Sequence, residues 1–305
     1  LTVIDNPMIL YPILIQVGFI AGFFGSMLGL GGGWLTVPAL QLFGVEPMAA
    51  VGTSLTAMIF NAATGTYKYH KKQILLVSLG LVLAAPGLIG VYLGKSTLTR
   101  LSDLGYSEIA LKTAFVVLQV TLAAVMLFSA GKKDNAPPKN PRASWTSFGP
   151  KIRINDKISI SAVHAGVIGL TTGFLSGLLG IGGGIIMTPA LVALFGISLV
   201  QAASASLVSV LISALLGSSL YWFEGKIIFA YAVILAISTA SGSYLGSSLA
   251  PRMRETVLKR IFGSLTLLTA IALMLTGSPI HLLSIAILLV GSMVLFIIAL
   301  RAKKI

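Results

Sequence analysis

Apolar residues run along this chain in long unbroken blocks, and polar residues gather in the short gaps between them. Blocks such as Ile74 to Leu93 and Ile280 to Leu300 hold about 20 residues, enough at a 1.5 Å rise to cross a hydrocarbon core of ~30 Å. Strict alternation is absent, so the pattern predicts helices and not a barrel. They are expected at about 9–28, 34–43, 47–67, 74–94 and 109–130, then at about 160–179, 185–195, 199–222, 227–249, 257–276 and 280–300.

Two of these helices are too short to span, and each follows a run of glycines. GFFGSMLGLGGGWLTVPAL (Gly22 to Leu40) aligns without gaps at an offset of 151 with GFLSGLLGIGGGIIMTPAL (Gly173 to Leu191). Gly22/Gly173, Gly29/Gly180, Gly31/Gly182, Gly32/Gly183, Gly33/Gly184 and Pro38/Pro189 are identical. Weaker echoes follow in the same order: Ser54-Leu55 with Ser206-Leu207, and GVYLGKS from Gly90 with GSYLGSS from Gly242.

The chain therefore reads as a duplication. Residues 1–130 form a first transmembrane repeat, 131–157 a cytoplasmic linker, 158–277 a second repeat, and 278–305 an extra helix with a basic tail. The first apolar run resembles a signal peptide, but it feeds into a glycine stretch that recurs, which makes it part of the fold. The PPxxP run from Pro137 suits a proline-binding module or, more simply, a spacer.

Composition agrees with the pattern. The 305 residues are 56% hydrophobic and 10% charged, against roughly 25% charged in soluble domains, and the mean hydropathy is +0.98. The expected class is an all-α integral membrane protein. A net charge of +13 raises the question of nucleic acid, but the basic residues sit in short loops, where they orient membrane helices. The absence of cysteine removes disulfide and thiolate chemistry, and His70, His164 and His281 are too scattered for a metal site. Neither an intramembrane aspartate pair nor a Ser–His dyad stands out, so an enzyme is not expected; nor is a cofactor.

Basic residues also choose between two topologies. If each glycine stretch and its short helix form a hairpin that returns to its own side, Lys and Arg divide 17 against 4 across the membrane. If they form one span, the division is 11 against 10. The hairpin arrangement gives two inverted-topology repeats, each with three further spanning helices. It puts the linker and C-terminus in the cytoplasm and the N-terminus outside.

Irregular backbone at membrane depth must be buried in protein or line a polar cavity. A short helix beginning after GGG offers unpaired N–H groups and a partial positive charge. Two such termini meeting from opposite sides suit a small anion. The expected substrate-binding residues are Gly31, Gly32, Gly33, Trp34, Ser54 and Asn61 in the first half, and Gly182, Gly183, Gly184, Ile185, Ser206 and Ser213 in the second.

Thr53, Thr64, Ser204 and Ser209 are further polar neighbours. The competing explanations are that glycines serve packing, as the small-xxx-small pairs Gly18/Gly22, Gly90/Gly94 and Gly242/Gly246 should, and that membrane hydroxyls bond their own helix. For proton coupling only His164 and Glu46 come near. Anion export needs no relay, because leaving a cell at −100 mV releases ~2.3 kcal/mol per charge.

The doubled GhhxGhhGhGGGhhhhPhL pattern, each copy opening a half of four or five apolar segments, resembles the TauE/SafE family of sulfite and organosulfonate permeases. That resemblance implies an inner-membrane transporter, usually an exporter, of sulfite, sulfoacetate or a related anion, with the loops at 29–33 and 180–184 near the substrate. A channel, or an importer of sulfate, thiosulfate or a carboxylate, is the alternative. Trp34 and the final helix depart from the family pattern.

Overall fold

The computed structural model describes residues 7–130, 150–155, 158–275 and 281–301. Residues 131–149 and 156–157 of the expected linker at 131–157, and the end of the basic tail, lie outside the described residues. The first half comprises α1 (Pro7–Leu28), α2 (Gly33–Leu42), α3 (Pro47–Lys71), α4 (Val77–Asp103) and α5 (Ser107–Ala130). The second comprises α6 (Ala162–Leu179), α7 (Gly184–Phe195), α8 (Leu199–Phe223), α9 (Phe229–Leu249) and α10 (Glu255–Met274), followed by α11 (His281–Arg301).

Between the halves, β1 (Lys151–Asn155) and β2 (Ile158–Ser161) form a small antiparallel hairpin. It sets Ile152 opposite Ile160, an alternation concealed by the basic residues around it.

Seven of the described helices are long and apolar enough to cross a membrane. The bundle carries apolar side chains on its outer faces and several polar ones inside: Ile89, Val117, Ile237 and Phe128 are exposed, while Ser26, Ser54, Asn61 and Gln119 are fully buried. That is the reverse of a water-soluble bundle. α3 is as long as α8 but less apolar, because it carries Thr53, Ser54 and Asn61 inward.

The halves interlock. α1 packs along α9, with Gly18 against Leu235 and Ser238, and Phe19 and Phe23 against Gly242 and Gly246. α6 packs along α4 in the same manner, with Gly169 against Leu83 and Gly90 and Gly94 against Leu170 and Phe174. Each pair runs in parallel, and each is a close small-residue contact of the kind the glycine spacings predicted. α3 and α8 cross at the centre, α5 pairs with α10, and α11 packs on α10.

Inter-half contacts mark the two ends of the bundle. At one end Lys226 Nζ bonds both carboxylate oxygens of Glu46, at 2.9 and 3.0 Å, and Lys95 pairs with Glu224. At the other, Lys72 Nζ donates to the carbonyls of Ser248 (2.7 Å) and Ser247 (3.3 Å), and Lys68 stands 3.3 Å above the Tyr244 ring. Burial, then Arg252 and Lys68, lower the pKa of Lys72 from the ordinary lysine value. α4 runs well past its expected end at 94, so Lys95 and Arg100 are helical.

Candidate functional site

The two glycine loops meet in the interior. Leu28 ends α1, and Leu30 N turns back to Gly25 O at 2.6 Å. Gly31 and Gly32 then take φ of +80° and +95°, and Gly182 and Gly183 both take +72°, a region costly for residues bearing a Cβ. Gly33 abuts Gly180 and Ile181, while Gly184 abuts Gly29 and Leu30. The loops therefore pass each other in opposite directions, so close that a Cβ on Gly33 or Gly184 would overlap a carbonyl oxygen of the other loop.

Two side chains, Met58 and Val210, cover the middle of this crossing. Each lies within 3 Å of where a Cβ on Gly31 or Gly182 would stand. Both sit near the midpoints of 25-residue helices, α3 and α8. The crossing is thus at the middle of the bundle's depth.

The hydrogen bonds divide the loops' carbonyls from their amides. Ser54 Oγ donates to Gly180 O at 3.2 Å and Ser206 Oγ to Gly29 O at 2.7 Å, a reciprocal pair across the halves. Asn61 Nδ2 donates to Gly31 O at 3.0 Å. Gly32 O accepts from Leu35 and Thr36, and Gly183 O from Ile186 and Met187. Among the described residues, no acceptor meets the N–H groups of Gly33, Trp34, Gly184 or Ile185. These five carbonyls are engaged and the four helix-terminal amides are not, which leaves partial positive charge at the helix starts beside the crossing.

The expected site residues thus fall into groups. Gly31–Trp34, Ser54, Asn61, Gly182–Ile185 and Ser206 converge on the crossing. Ser54, Asn61 and Ser206 engage loop carbonyls there. Ser213 and Ser209 are buried on α8, Ser213 facing Gly87.

Ser204 lies away from the centre, bonded to Ile74 O and Gln201 O, and Thr53 accepts from Ile228 N. Thr64 is half-buried on α3. Glu46 is held by Lys226 at one end, and the buried His164 Nδ1 has no partner in the first turn of α6.

The sequence reading missed several contributors. Tyr69 OH donates to Ser26 O at 3.0 Å and Tyr221 OH to Gly177 O at 2.8 Å, anchoring the ends of α1 and α6. Gln119 Nε2 donates to Trp34 O at 3.0 Å and fixes the first turn of α2. Trp34 itself is buried edge-on to Phe262, its indole Nε1 unpaired. Asn61 Oδ1, Gln119 Oε1, Ser176 Oγ and Thr188 Oγ1 are also buried without partners. The offset relating Ser54 to Ser206 also relates Met58 to Val210 and Tyr69 to Tyr221, and it is the signal that would have found both pairs.

Residues 14–273 match the family model described as sulfite exporter TauE/SafE. The probable membrane transporter protein YunE of Bacillus subtilis (strain 168) is 29% identical over 279 residues, 88% of this chain and 98% of that protein. The probable membrane transporter protein MJ0441 of Methanocaldococcus jannaschii is 30% identical over 190 residues, 60% of this chain and 62% of that protein. An Arabidopsis thaliana protein named sulfite exporter TauE/SafE family protein 3 is 32% identical over 84 residues, 28% of this chain and 18% of its own. No solved structure matches. The matched span takes in both glycine loops and every helix that packs around them, and the chain belongs to the TauE/SafE family of membrane transporters.

Proposed function

We propose that this transporter exports small sulfur-containing anions, sulfite or organosulfonates such as sulfoacetate, and binds them at mid-membrane between the N-termini of α2 and α7. The observation that carries this reading is the separation of polarity at the crossing: bonded carbonyls on one hand, four unopposed amides on the other. Held by partial charges alone, an anion is bound moderately and released readily, as a carrier requires. The family description and the printed name of the Arabidopsis relative support a sulfur anion.

The transport path in this proposal follows from two inverted-topology repeats, residues 1–130 and 158–277, joined by a cytoplasmic linker and followed by the extra helix. The antiparallel courses of the equivalent helices α3 and α8, with Gly52 beside Tyr221 and Gly65 beside Leu207, support hairpins entering from opposite faces. The end tied by Glu46–Lys226 and Lys95–Glu224 is the outer one, with the N-terminus. The end bearing Lys68, Lys72 and Arg252 faces the cytoplasm with the linker and C-terminus, in line with the basic-residue division. The membrane is the cell's inner membrane, and its potential drives an anion outward.

The test is a thermal-shift screen of the purified protein against sulfite, sulfate, thiosulfate, sulfoacetate, taurine and carboxylate analogues. A ligand at one hundred times its Kd stabilises the folded state by about 2.7 kcal/mol. Sulfite or a sulfonate is expected to raise the melting temperature. Stabilisation by carboxylates without any by sulfur oxyanions would overturn the substrate class.

A further inference from the structure

Met58 touches more of the crossing than any other side chain named here. Its Cε lies 2.6 Å from the position of a Cβ on Gly31, and it also covers Gly182. Its Sδ lies 2.8 Å from the position of a Cβ on Gly33, the first residue of α2, and accepts a 3.9 Å contact from Ser54 Oγ. One thioether therefore lies over both loops, over the first turn of α2 and over one of the two crossing serines. Met58 is fully buried, and its counterpart Val210 is too.

The thioether thus stands beside Gly33, whose amide belongs to the anion site proposed above. The atoms of Met58 beyond Cβ are comparable in size to a sulfite ion. The two halves differ in how they cover the crossing. Methionine is unbranched, with three rotatable bonds, and moves between rotamers without disturbing the backbone. Valine is stiff at χ1, so Val210 is a fixed wall. Ser54 Oγ also lies 3.2 Å from Gly180 O, an acceptor independent of the thioether.

We infer that Met58 is the gate of the anion site: its side chain lies across the binding position, swings aside when the anion enters, and sets how large an anion is accepted. This rests on the binding site proposed above. The penalty for opening is part of the measured affinity, because a ligand that binds only an open fraction has its apparent Kd raised by that fraction. Removing the gate therefore tightens binding, the reverse of what removing an ordinary contact residue does.

The experiment compares full-length wild type, Met58→Ala and Met58→Leu, with sulfite and sulfoacetate as probes, by calorimetric binding and by flux from proteoliposomes. Met58→Ala is expected to bind sulfite about tenfold tighter, and to gain more for sulfoacetate than for sulfite, with flux that saturates at correspondingly lower sulfite concentration. Met58→Leu conserves volume and keeps the fold. Its branched Cγ is expected to weaken sulfite binding severalfold.

Wild-type sulfite binding that both variants leave unchanged within twofold overturns the gate and leaves the anion reading standing. Weaker binding by Met58→Ala, with the Met58→Leu protein behaving as wild type, also overturns the gate. Absence of sulfur-anion binding by wild type and Met58→Ala alike overturns that reading and the gate with it.

Discussion

The loop from Gly29 to Trp34 and the loop from Gly180 to Ile185 are built on the same scaffold and furnished differently. Each crosses the other on positive-φ glycines, each has a carbonyl held by a serine of the opposite half, and each lies beside a helix end anchored by a buried tyrosine. The furnishing diverges at Trp34 against Ile185, Met58 against Val210, and Asn61 against Ser213. What the halves share holds backbone in an unusual path. What they do not share supplies an indole N–H, a flexible thioether and a carboxamide to one half only. A symmetric backbone scaffold thus carries different side chains on its two sides.

The largest expected effects test the scaffold. Gly33→Ala and Gly184→Ala each force a Cβ into the opposite loop's carbonyl oxygen. Backbone cannot yield there without parting the crossing, so both variants should lose the monodisperse folded protein in detergent, and equally. A Gly184→Ala protein that elutes and melts like wild type, while Gly33→Ala does not, would break the symmetry argued here.

Asn61→Ala against Ser213→Ala tests the furnishing. The first strands the Gly31 carbonyl in the interior, a loss of about 1–3 kcal/mol, and should also weaken sulfite binding. Ser213 has no comparable loop carbonyl to release, so its variant should melt close to wild type. Equal losses would show that the carboxamide of Asn61 does no more for its loop than the hydroxyl of Ser213 does for the other.

Much of this was legible in the sequence for a physical reason. Hydropathy reports the membrane slab, so the apolar blocks located every α-helix among the described residues, and the duplication located the glycine loops. The same property hid the last turns of α4, where Lys95 to Asp103 remain helical after the apolar block ends. It also hid the strand at Lys151–Asn155, whose charges read as linker.

Ser54 and Asn61 stand seven residues apart, the spacing of one helix face, and both reach loop carbonyls. Met58 was invisible because a methionine inside an apolar helix looks the same whether it faces lipid, core or a binding site. Gln119 had no partner in sequence to point at, since the carbonyl it holds belongs to Trp34.

A smaller pair of effects concerns the tyrosines. Tyr69→Phe and Tyr221→Phe each remove one buried hydroxyl donor, at 3.0 and 2.8 Å from their carbonyls, and each should cost about 1 kcal/mol. The scaffold argument requires the two losses to be similar. A loss at Tyr69 several times that at Tyr221 would show that α1 depends on its anchor in a way α6 does not.

The smallest effects separate the two ends of the bundle, and salt is the instrument. The end that carries Glu46–Lys226 and Lys95–Glu224 is joined by ion pairs, with the Glu46 side chain 47% and the Lys226 side chain 34% exposed. The other end is joined by Lys72 donating to two backbone carbonyls. Exposed pairs contribute about 0–1 kcal/mol, and salt screens them.

Raising the salt should therefore erase the small stability difference between wild type and Lys226→Ala, while a Lys72→Ala difference should persist. The charge exchange Glu46→Lys with Lys226→Glu should restore what either single change removes. If it does not, or if salt leaves the Lys226→Ala difference untouched, the two ends are held by the same forces. The ionic joint between the halves at the Glu46–Lys226 end then has no energetic reality.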